Sequence, residues 1–470
     1  MTITAPETAA TPITAASPGS LLHPFARPAA DAASFTRIVR GDGALVFDDR
    51  GRRYVDAMAS LWYCNVGHGR SEIGRAVAAQ IEELENYHLF ERFVNPRAEE
   101  LAARLVELAP VPGSRVFLTS GGSEAVDTAL KLSRVAHAQA GRPERTIVIS
   151  RRPSYHGVTY GGMALTGLPL NRKDFGNGMA DVAQVDKDHL AGVRQVFEDN
   201  PGKVAAVFAE PVIGAGGVWP PVPGYLEGLR ALCDEHGAHL VFDEVICGFG
   251  RLGSMFAGSY FGVQADLTTF AKGVSSGYVP LGGVLVGPAV HEALSADPAF
   301  VLRHGYTYSG HAAACAAGLV CLDITEREGL AARATTIGAR LSTGLMGLKN
   351  AGLLIDVRGV GALWGVSLPE GLDPVVVRDR MLDDGVVVRP IAPSTLAICP
   401  PLVIQDDDVD LIVSTMQAAL HERHDEPPRL GSSTADEDFL APGATAGADP
   451  VHLPPGLAKE LNTLDTALAS

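Results

Sequence analysis

The sequence predicts an α/β protein whose larger domain is built on a mostly parallel β-sheet. Short runs of β-branched and apolar residues, such as 204–210 and 239–245, turn abruptly acidic at their ends, as buried parallel strands facing a ligand do. Helical patterns such as 224–237 separate these runs, and this alternation is typical of successive βαβ units. From residue 329 to 424 strand-like and helical segments are mixed, which predicts a smaller α+β unit.

Length and composition limit the possibilities further. At 470 residues the chain exceeds one simple core, so two domains and a tail are expected. A hydrophobic content of 46% and a charged content of 20% are typical of a soluble globular protein. The formal net charge of −16 argues against nucleic acid or an anionic membrane as a partner. Residues 1–20 and 425–470 are rich in residues that avoid a packed core, and both ends are predicted to be disordered.

The cysteines and the N-terminus predict a cytoplasmic protein. The six cysteines are scattered, form no Cys-x-x-Cys pair and lie partly in apolar runs, which favours reduced thiols over disulfides. The first twenty residues lack the basic start and apolar core of a secretory signal. No uninterrupted apolar run reaches the ~20 residues that a membrane-spanning helix needs.

One lysine stands in an uncharged stretch, Thr268–Gly277, where a strand runs into a glycine- and serine-rich loop. Alone, Lys272 could be a loop lysine whose amine reaches solvent. The preceding strand, however, ends at Asp243, and ligands of open α/β sheets bind at the carboxyl ends of strands. A lysine that forms a Schiff base and an aspartate that holds a pyridinium nitrogen are the pair expected of a pyridoxal phosphate (PLP) enzyme. Lys272 and Asp243 are therefore the predicted catalytic residues.

These two segments, DEVICGFGR and FAKGVSSGYVPLGG, closely resemble the class III aminotransferases, a fold type I family of PLP-dependent enzymes. The resemblance extends from about Phe25 to about Leu420. It implies a large PLP-binding domain, 76–328, and a small α+β domain made from both chain ends, 21–75 and 329–424. It also implies a homodimer, or a tetramer, with active sites shared between subunits.

A Gly-Gly-Ser turn follows the strand 115–120 and opens a helix. Exposed backbone N–H groups and the helix dipole make such a turn a phosphate site, although it could equally be an ordinary helix start capped by Ser123. The resemblance implies that Gly121, Gly122 and Ser123 bind the PLP phosphate. The family usually has Ser-Gly-Ser here, so Gly121 removes one hydroxyl contact.

The resemblance assigns the remaining cofactor contacts. Tyr155, in an aromatic-His-Gly motif, would stack on the ring, and Glu210, in a Glu-Pro pair, would lie in or just behind the site. Val245 would contact the cofactor beside Asp243. Thr307 would reach the PLP phosphate of the neighbouring subunit.

Substrate residues are also implied by the resemblance. A tryptophan matching Trp62 lines the substrate pocket, to which Phe25 could contribute, and Arg389 would bind the substrate carboxylate as a bidentate fork. The ornithine and GABA branches carry an arginine where this chain has Ala397. Diaminopelargonate aminotransferases tend to have an aspartate at the position of Val158. Both departures favour a similarity to omega-amino-acid:pyruvate aminotransferases.

No metal site is predicted. His304 and His311 lack a third ligand, and the pair His421 and His424 is more typical of a solvated helix end. The run 248–253 formally fits Gly-x-Gly-x-x-Gly, but no clean helix or ribose-binding acid follows it, so a dinucleotide site is rejected.

The resulting hypothesis is transfer of an amino group from an omega-amino acid or amine to a 2-keto acid, with pyruvate as the expected acceptor, by a ping-pong mechanism. The alternatives are another PLP reaction on the same scaffold (racemase, aminomutase, decarboxylase or phospho-lyase) or a diaminopelargonate- or GABA-type aminotransferase. A non-catalytic PLP-binding regulator is a further alternative, against which the intact Lys272 argues.

Overall fold

The fold is described by a computed structural model that covers residues 20–176 and 178–421. The ends predicted to be disordered lie outside these residues, apart from Ser20. None of the helices in the described ranges combines the length and the apolar character needed to cross a bilayer.

The described residues form fifteen β-strands and thirteen α-helices. The strands are β1 (Ile38–Asp42), β2 (Leu45–Asp48), β3 (Arg53–Asp56), β4 (Arg115–Thr119), β5 (Ile147–Arg152), β6 (Val182–Asp186), β7 (Val204–Ala209), β8 (His239–Asp243), β9 (Leu267–Phe270), β10 (Gly282–Val286), β11 (Asp356–Val360), β12 (Leu363–Ser367), β13 (Val386–Val387), β14 (Arg389–Ile391) and β15 (Thr395–Ile398). The helices are α1 (Ala59–Trp62), α2 (Ser71–Leu84), α3 (Pro96–Leu108), α4 (Gly122–Gln139), α5 (Tyr160–Leu165), α6 (Leu190–Asp199), α7 (Tyr225–His236), α8 (Ala257–Phe261), α9 (Pro288–Ser295), α10 (Ala312–Arg327), α11 (Leu330–Asn350), α12 (Pro374–Asp383) and α13 (Asp406–His421).

The largest sheet has the strand order β4-β10-β9-β8-β7-β5-β6. Strands β9, β8, β7, β5 and β6 are parallel, whereas β10 runs antiparallel to both of its neighbours. This confirms the predicted mostly parallel sheet. Every residue of β7 and β8 is buried because helices cover both faces of the sheet.

Successive side chains of the central strands enter different cores, as the alternation of a strand requires. Leu240 and Phe242 of β8 pack with residues of α6 and α7. Val241 of the same strand packs on the other face with residues of α4 and α9. The sheet is therefore the buried middle layer of the domain. Polar side chains can come together only beyond the ends of its strands.

The smaller part of the chain contains two four-stranded sheets, β1-β2-β3-β13 and β11-β12-β15-β14. Strand β13 pairs in parallel with β3, so that Val386 lies opposite Val55 and the two ends of the chain share one sheet. Helices α11, α12 and α13 contribute to a common core with these strands. The predicted boundary between residues 75 and 76 falls inside α2, whereas the one at 329 falls between α10 and α11.

Candidate active site

A cavity of about 400 Å³ opens at the carboxyl edge of the large sheet. The segments that follow β4, β5, β7, β8 and β9 all reach it, which is the edge where ligands of open α/β sheets bind. Residues predicted to contact the cofactor that line the cavity are Gly121, Gly122, Ser123, Tyr155, Glu210, Asp243, Val245 and Lys272.

Lys272 opens a short 3₁₀ turn directly after β9 and is half-buried. Its backbone has a φ of 48°, a left-handed conformation that lysine adopts only when its surroundings enforce it. Burial lowers the pKa of the Lys272 amine below its usual value, and Arg389 acts in the same direction. The carboxylates of Asp243 and Glu210 oppose this effect without reversing it. A larger fraction of the amine is consequently uncharged and nucleophilic near neutral pH.

Asp243 ends β8 and faces the cavity with a carboxylate that is held from two sides. His156 donates a hydrogen bond from Nδ1 to Asp243 Oδ2 over 2.8 Å, and the backbone N–H of Val245 donates to Oδ1 over 3.1 Å. Both side chains are buried, Asp243 at 4% exposure and His156 at 2%. His156 was not predicted from the sequence, although the Tyr-His-Gly motif that contains it was a signal.

Helix α4 points its first turn at the cavity. The earliest amide bonded back to this turn is that of Ala125, which donates to the carbonyl of Gly121 over 3.0 Å. The preceding N–H groups of a helix have no partner within the helix and can bind an anion. Ser123 lies inside the helix and does not cap it, since its hydroxyl accepts the N–H of Val158 over 3.1 Å. A Cβ on Gly122 would lie 2.9 Å from Val245 Cγ1, so glycine is needed for this close approach.

Glu210 supports the far wall of the cavity. Its two carboxylate oxygens accept backbone N–H groups, from Tyr155 over 3.0 Å and from Gly214 over 2.9 Å. Burial raises the pKa of the Glu210 carboxyl, and the neighbouring Asp243 raises it further. Glu210 thereby fixes the loop after β5, from which the ring of Tyr155 enters the cavity.

Of the predicted substrate residues, none lines the cavity of this single chain, neither Arg389 nor Trp62 nor Phe25. Arg389 begins β14 and is half-buried, with its guanidinium carbon 5.1 Å from the ring centre of Trp62. Trp62 is 4% exposed and packs in an apolar cluster, so it supports Arg389 and does not line the cavity of this single chain. Phe25 is 58% exposed, and Thr307 is also exposed; neither lines the cavity.

Tyr63 lines the cavity but was not predicted from the sequence. Its ring lies against Gly277, where the φ of 79° favours glycine and a Cβ would lie 2.3 Å from the Tyr63 ring. The aromatic neighbour of Trp62 is thus the one that faces the cavity. This contact requires a glycine at position 277.

The residues present fit PLP. A carboxylate, an amine of lowered pKa, an aromatic ring and a helix N-terminus surround one cavity, and these groups match the ring nitrogen, the aldehyde, the ring face and the phosphate of the cofactor. Within the described residues, no three His, Cys, Asp or Glu side chains are grouped so that they could hold a metal ion.

Comparison with known proteins assigns the family. The family model described as aminotransferase class-III matches residues 27–420. An omega-aminotransferase of Caulobacter vibrioides is 37% identical, over 78% of this chain and 90% of the relative, and a beta-alanine–pyruvate aminotransferase of Pseudomonas aeruginosa is 35% identical, over 82% and 91%. The PLP-bound structure of an amine transaminase from an uncultivated Pseudomonas species superposes with a TM-score of 0.81 at 36% identity, covering 86% of this chain and 99% of that one. The chain belongs to the class-III aminotransferases and is a PLP-dependent enzyme.

Proposed function

We propose that the enzyme transfers the amino group of an omega-amino acid or amine to pyruvate or a similar 2-keto acid in two half-reactions on one site. The observation that carries this proposal is the joint placement of Lys272 and Asp243 on one cavity, with Arg389 close enough to lower the pKa of the lysine amine. The names of the relatives from Caulobacter vibrioides and Pseudomonas aeruginosa support the choice of substrate class.

When bound, PLP supplies an aldehyde that accepts the amino group and a ring that spreads the negative charge left on the substrate carbon. Asp243, held by His156, keeps a proton on the ring nitrogen. The Nζ atom of Lys272 would accept the proton from the substrate carbon as a base and return it at the end of the half-reaction, for which its lowered pKa suits it near neutral pH. The N–H groups at the start of α4 would hold the phosphate, and Tyr155 would cover the ring.

Arg389 gives the site its acceptor specificity in this proposal. The guanidinium is planar, and its five donors can bind a carboxylate through two parallel hydrogen bonds. Ala397, in the adjacent strand opposite Arg389, is fully buried and cannot take this role. A 2-keto acid would therefore place its carboxylate at Arg389 and its carbonyl towards Lys272.

We also propose a homodimer in the cytoplasm. Exposed aromatic and aliphatic side chains are concentrated in the segment before α3 and in the loop before α10, which also contains the exposed Thr307. The two segments touch, because a Cβ on Gly305 would lie 2.7 Å from the ring of Phe90. Apolar patches of this kind commonly mark protein interfaces. Sedimentation at the mass of one chain would contradict the dimer.

The six buried, unbridged thiols favour a reducing compartment.

The test follows the visible absorbance of the bound cofactor while amine donors are added without an acceptor, and then with pyruvate or 2-oxoglutarate. Lys272→Ala should remove the absorbance of the lysine-linked cofactor and abolish turnover. Arg389→Ala should raise the KM for pyruvate and affect the half-reaction with an amine donor that lacks a carboxylate much less. Arg333→Ala is the matched control, since Arg333 is also partly buried but pairs with Asp406 on the surface. Turnover without any keto acid would favour a racemase or another PLP reaction instead.

A further inference from the structure

The short segment α1 (Ala59–Trp62) is strained beside the active site, and its interior does not have the backbone angles of a regular helix. Ala59, Ser60 and Trp62 have φ values of 45°, 58° and 61°, although none of them is a glycine. Ser60 combines its φ with a ψ of −92°, which is close to the rare and strained γ-turn conformation. The buried indole N–H of Trp62 also has no hydrogen-bond acceptor among the described residues. Such a conformation persists only where its surroundings enforce it.

Asp56 supplies the restraint. Its carboxylate is 2% exposed and accepts three hydrogen bonds. The backbone N–H of Met58 donates to Oδ1 over 3.1 Å, the N–H of Ser60 donates to Oδ2 over 2.6 Å, and Nε2 of His68 lies 2.8 Å from Oδ2. Both oxygens are therefore needed to bind the start of the strained segment.

The backbone next to Asp56 is fixed to the C-terminal part of the chain. The N–H of Ala57 donates to the carbonyl of Val387 over 3.0 Å, and the carbonyl of Ala57 accepts the N–H of Cys399 over 2.6 Å. Val387 is two residues from Arg389. The anchor of the strained segment and the strand that begins at Arg389 are thus parts of one hydrogen-bonded unit.

The strained segment presents two aromatic side chains in different directions. Trp62 packs beneath Arg389, and Tyr63 lines the cavity. The hydroxyl of Ser60 donates to the Tyr63 hydroxyl over 2.5 Å, so the residue bound by Asp56 also holds the tyrosine. Release of Ser60 would let both aromatic rings move relative to Arg389.

We propose that Asp56, oriented by His68, is a positioning residue that sets substrate recognition by holding Ala59–Trp62 in its strained conformation. The proposal rests on the proposed function insofar as Arg389 and Tyr63 contact substrate. Asp56 itself does not line the cavity. Its loss should affect substrate recognition more than cofactor binding.

The experiment compares Asp56→Asn with Asp48→Asn. Asp48 is a closely matched control, because it is 7% exposed, lies on a neighbouring strand and also accepts two backbone N–H groups and one side-chain donor, from Arg50, Arg52 and Tyr54. Asparagine offers one acceptor oxygen in place of two in both variants. Asp56→Asn should raise the KM for amine donor and for pyruvate on the order of 10- to 100-fold, as expected for misplaced binding groups, with PLP affinity unchanged. Asp48→Asn should change neither.

A second measurement needs no activity. The chain has three tryptophans, so the double variant Trp219→Phe/Trp364→Phe leaves Trp62 as the only fluorescent indole. In this background, without cofactor, Asp56→Asn should shift the emission to longer wavelength and make it easier to quench with acrylamide, whereas Asp48→Asn should not. If Asp56→Asn does not fold, His68→Phe replaces it in both measurements, because it removes the side chain that orients the Asp56 carboxylate. The same changes in KM and emission are expected.

The two readouts separate this proposal from the proposed function. Emission and KM that respond alike to Asp56→Asn and Asp48→Asn would overturn the positioning role. An enzyme inactive towards every amine would refute the proposed function, yet the fluorescence comparison would still decide whether Asp56 holds the segment.

Discussion

Replacement of His156 by phenylalanine tests how the site holds Asp243. The hydrogen bond from His156 Nδ1 to Asp243 Oδ2 is 2.8 Å long, and both partners are nearly fully buried, so water screens it little. Hydrogen bonds to charged groups contribute about 1.5–3 kcal/mol. Without this donor the Asp243 carboxylate loses one of the two hydrogen bonds that hold it towards the cavity, so it supports the charge of the cofactor ring less well.

If that contribution is fully lost in the transition state, the half-reaction with an amine donor should slow by roughly 10- to 100-fold, since 1.4 kcal/mol corresponds to a factor of ten. Stopped-flow absorbance of the cofactor-loaded enzyme measures this rate directly. His156→Asn keeps a donor near the position of Nδ1 and should recover part of the rate. The cofactor should remain bound in both variants, because the phosphate and lysine contacts are unchanged.

His137→Phe is the matched control. His137 is as buried as His156, but it lies at the opposite edge of the sheet, where its Nε2 donates to the carbonyl of Ala205 over 2.9 Å. Its replacement should lower thermal stability and leave the half-reaction rate unchanged. A rate for His156→Phe within twofold of the unmodified enzyme, with cofactor bound, would refute the reasoning about Asp243.

Two further predictions concern cofactor binding and acid stability. Gly122→Ala should weaken PLP binding about tenfold, because the new Cβ would lie 2.9 Å from a methyl of Val245 in the cavity wall; titration with PLP measures the loss, and Val245→Ala in the same chain should restore only part of the affinity, since Val245 is itself a predicted cofactor contact. Burial lowers the pKa of His137 to about 4 and that of His239 to about 3. Both values lie below that of an unfolded histidine, so the unfolded chain binds protons first and stability should fall as the pH drops from about 6.5 towards 4. Melting temperatures between pH 7 and pH 5 check this, and His239→Phe should reduce the slope; an unchanged slope would contradict the assignment.

The sequence was most informative where neighbouring residues revealed the chemistry. Lys272 in an uncharged stretch and Asp243 at the end of an apolar run were enough to predict that both face one cavity, and the Gly-Gly-Ser turn also lines it. The contact of His156 with Asp243 could not be read in this way, because the two residues are 87 positions apart and meet only through the order of strands in the sheet.

Two structural features ran against local preference. Ala59, Ser60 and Trp62 are not the glycine or asparagine residues that usually accompany a left-handed backbone. Their conformation depends on hydrogen bonds to the Asp56 carboxylate, which the sequence does not reveal. Strand β10 looks from its composition like its parallel neighbours, and its antiparallel direction depends on the chain returning between β4 and β9. Tertiary contacts decided both features.

The pairing of β13 with β3 affects the order in which the protein can fold during its synthesis on the ribosome. The two strands are separated by about 330 residues, so the first sheet of the chain waits for its last strand until most of the protein has been made. The large domain can fold in the meantime from strands that follow one another closely. Lys272 and Asp243 can thus come together before Arg389 leaves the exit tunnel, and the strand that begins at Arg389 joins them later.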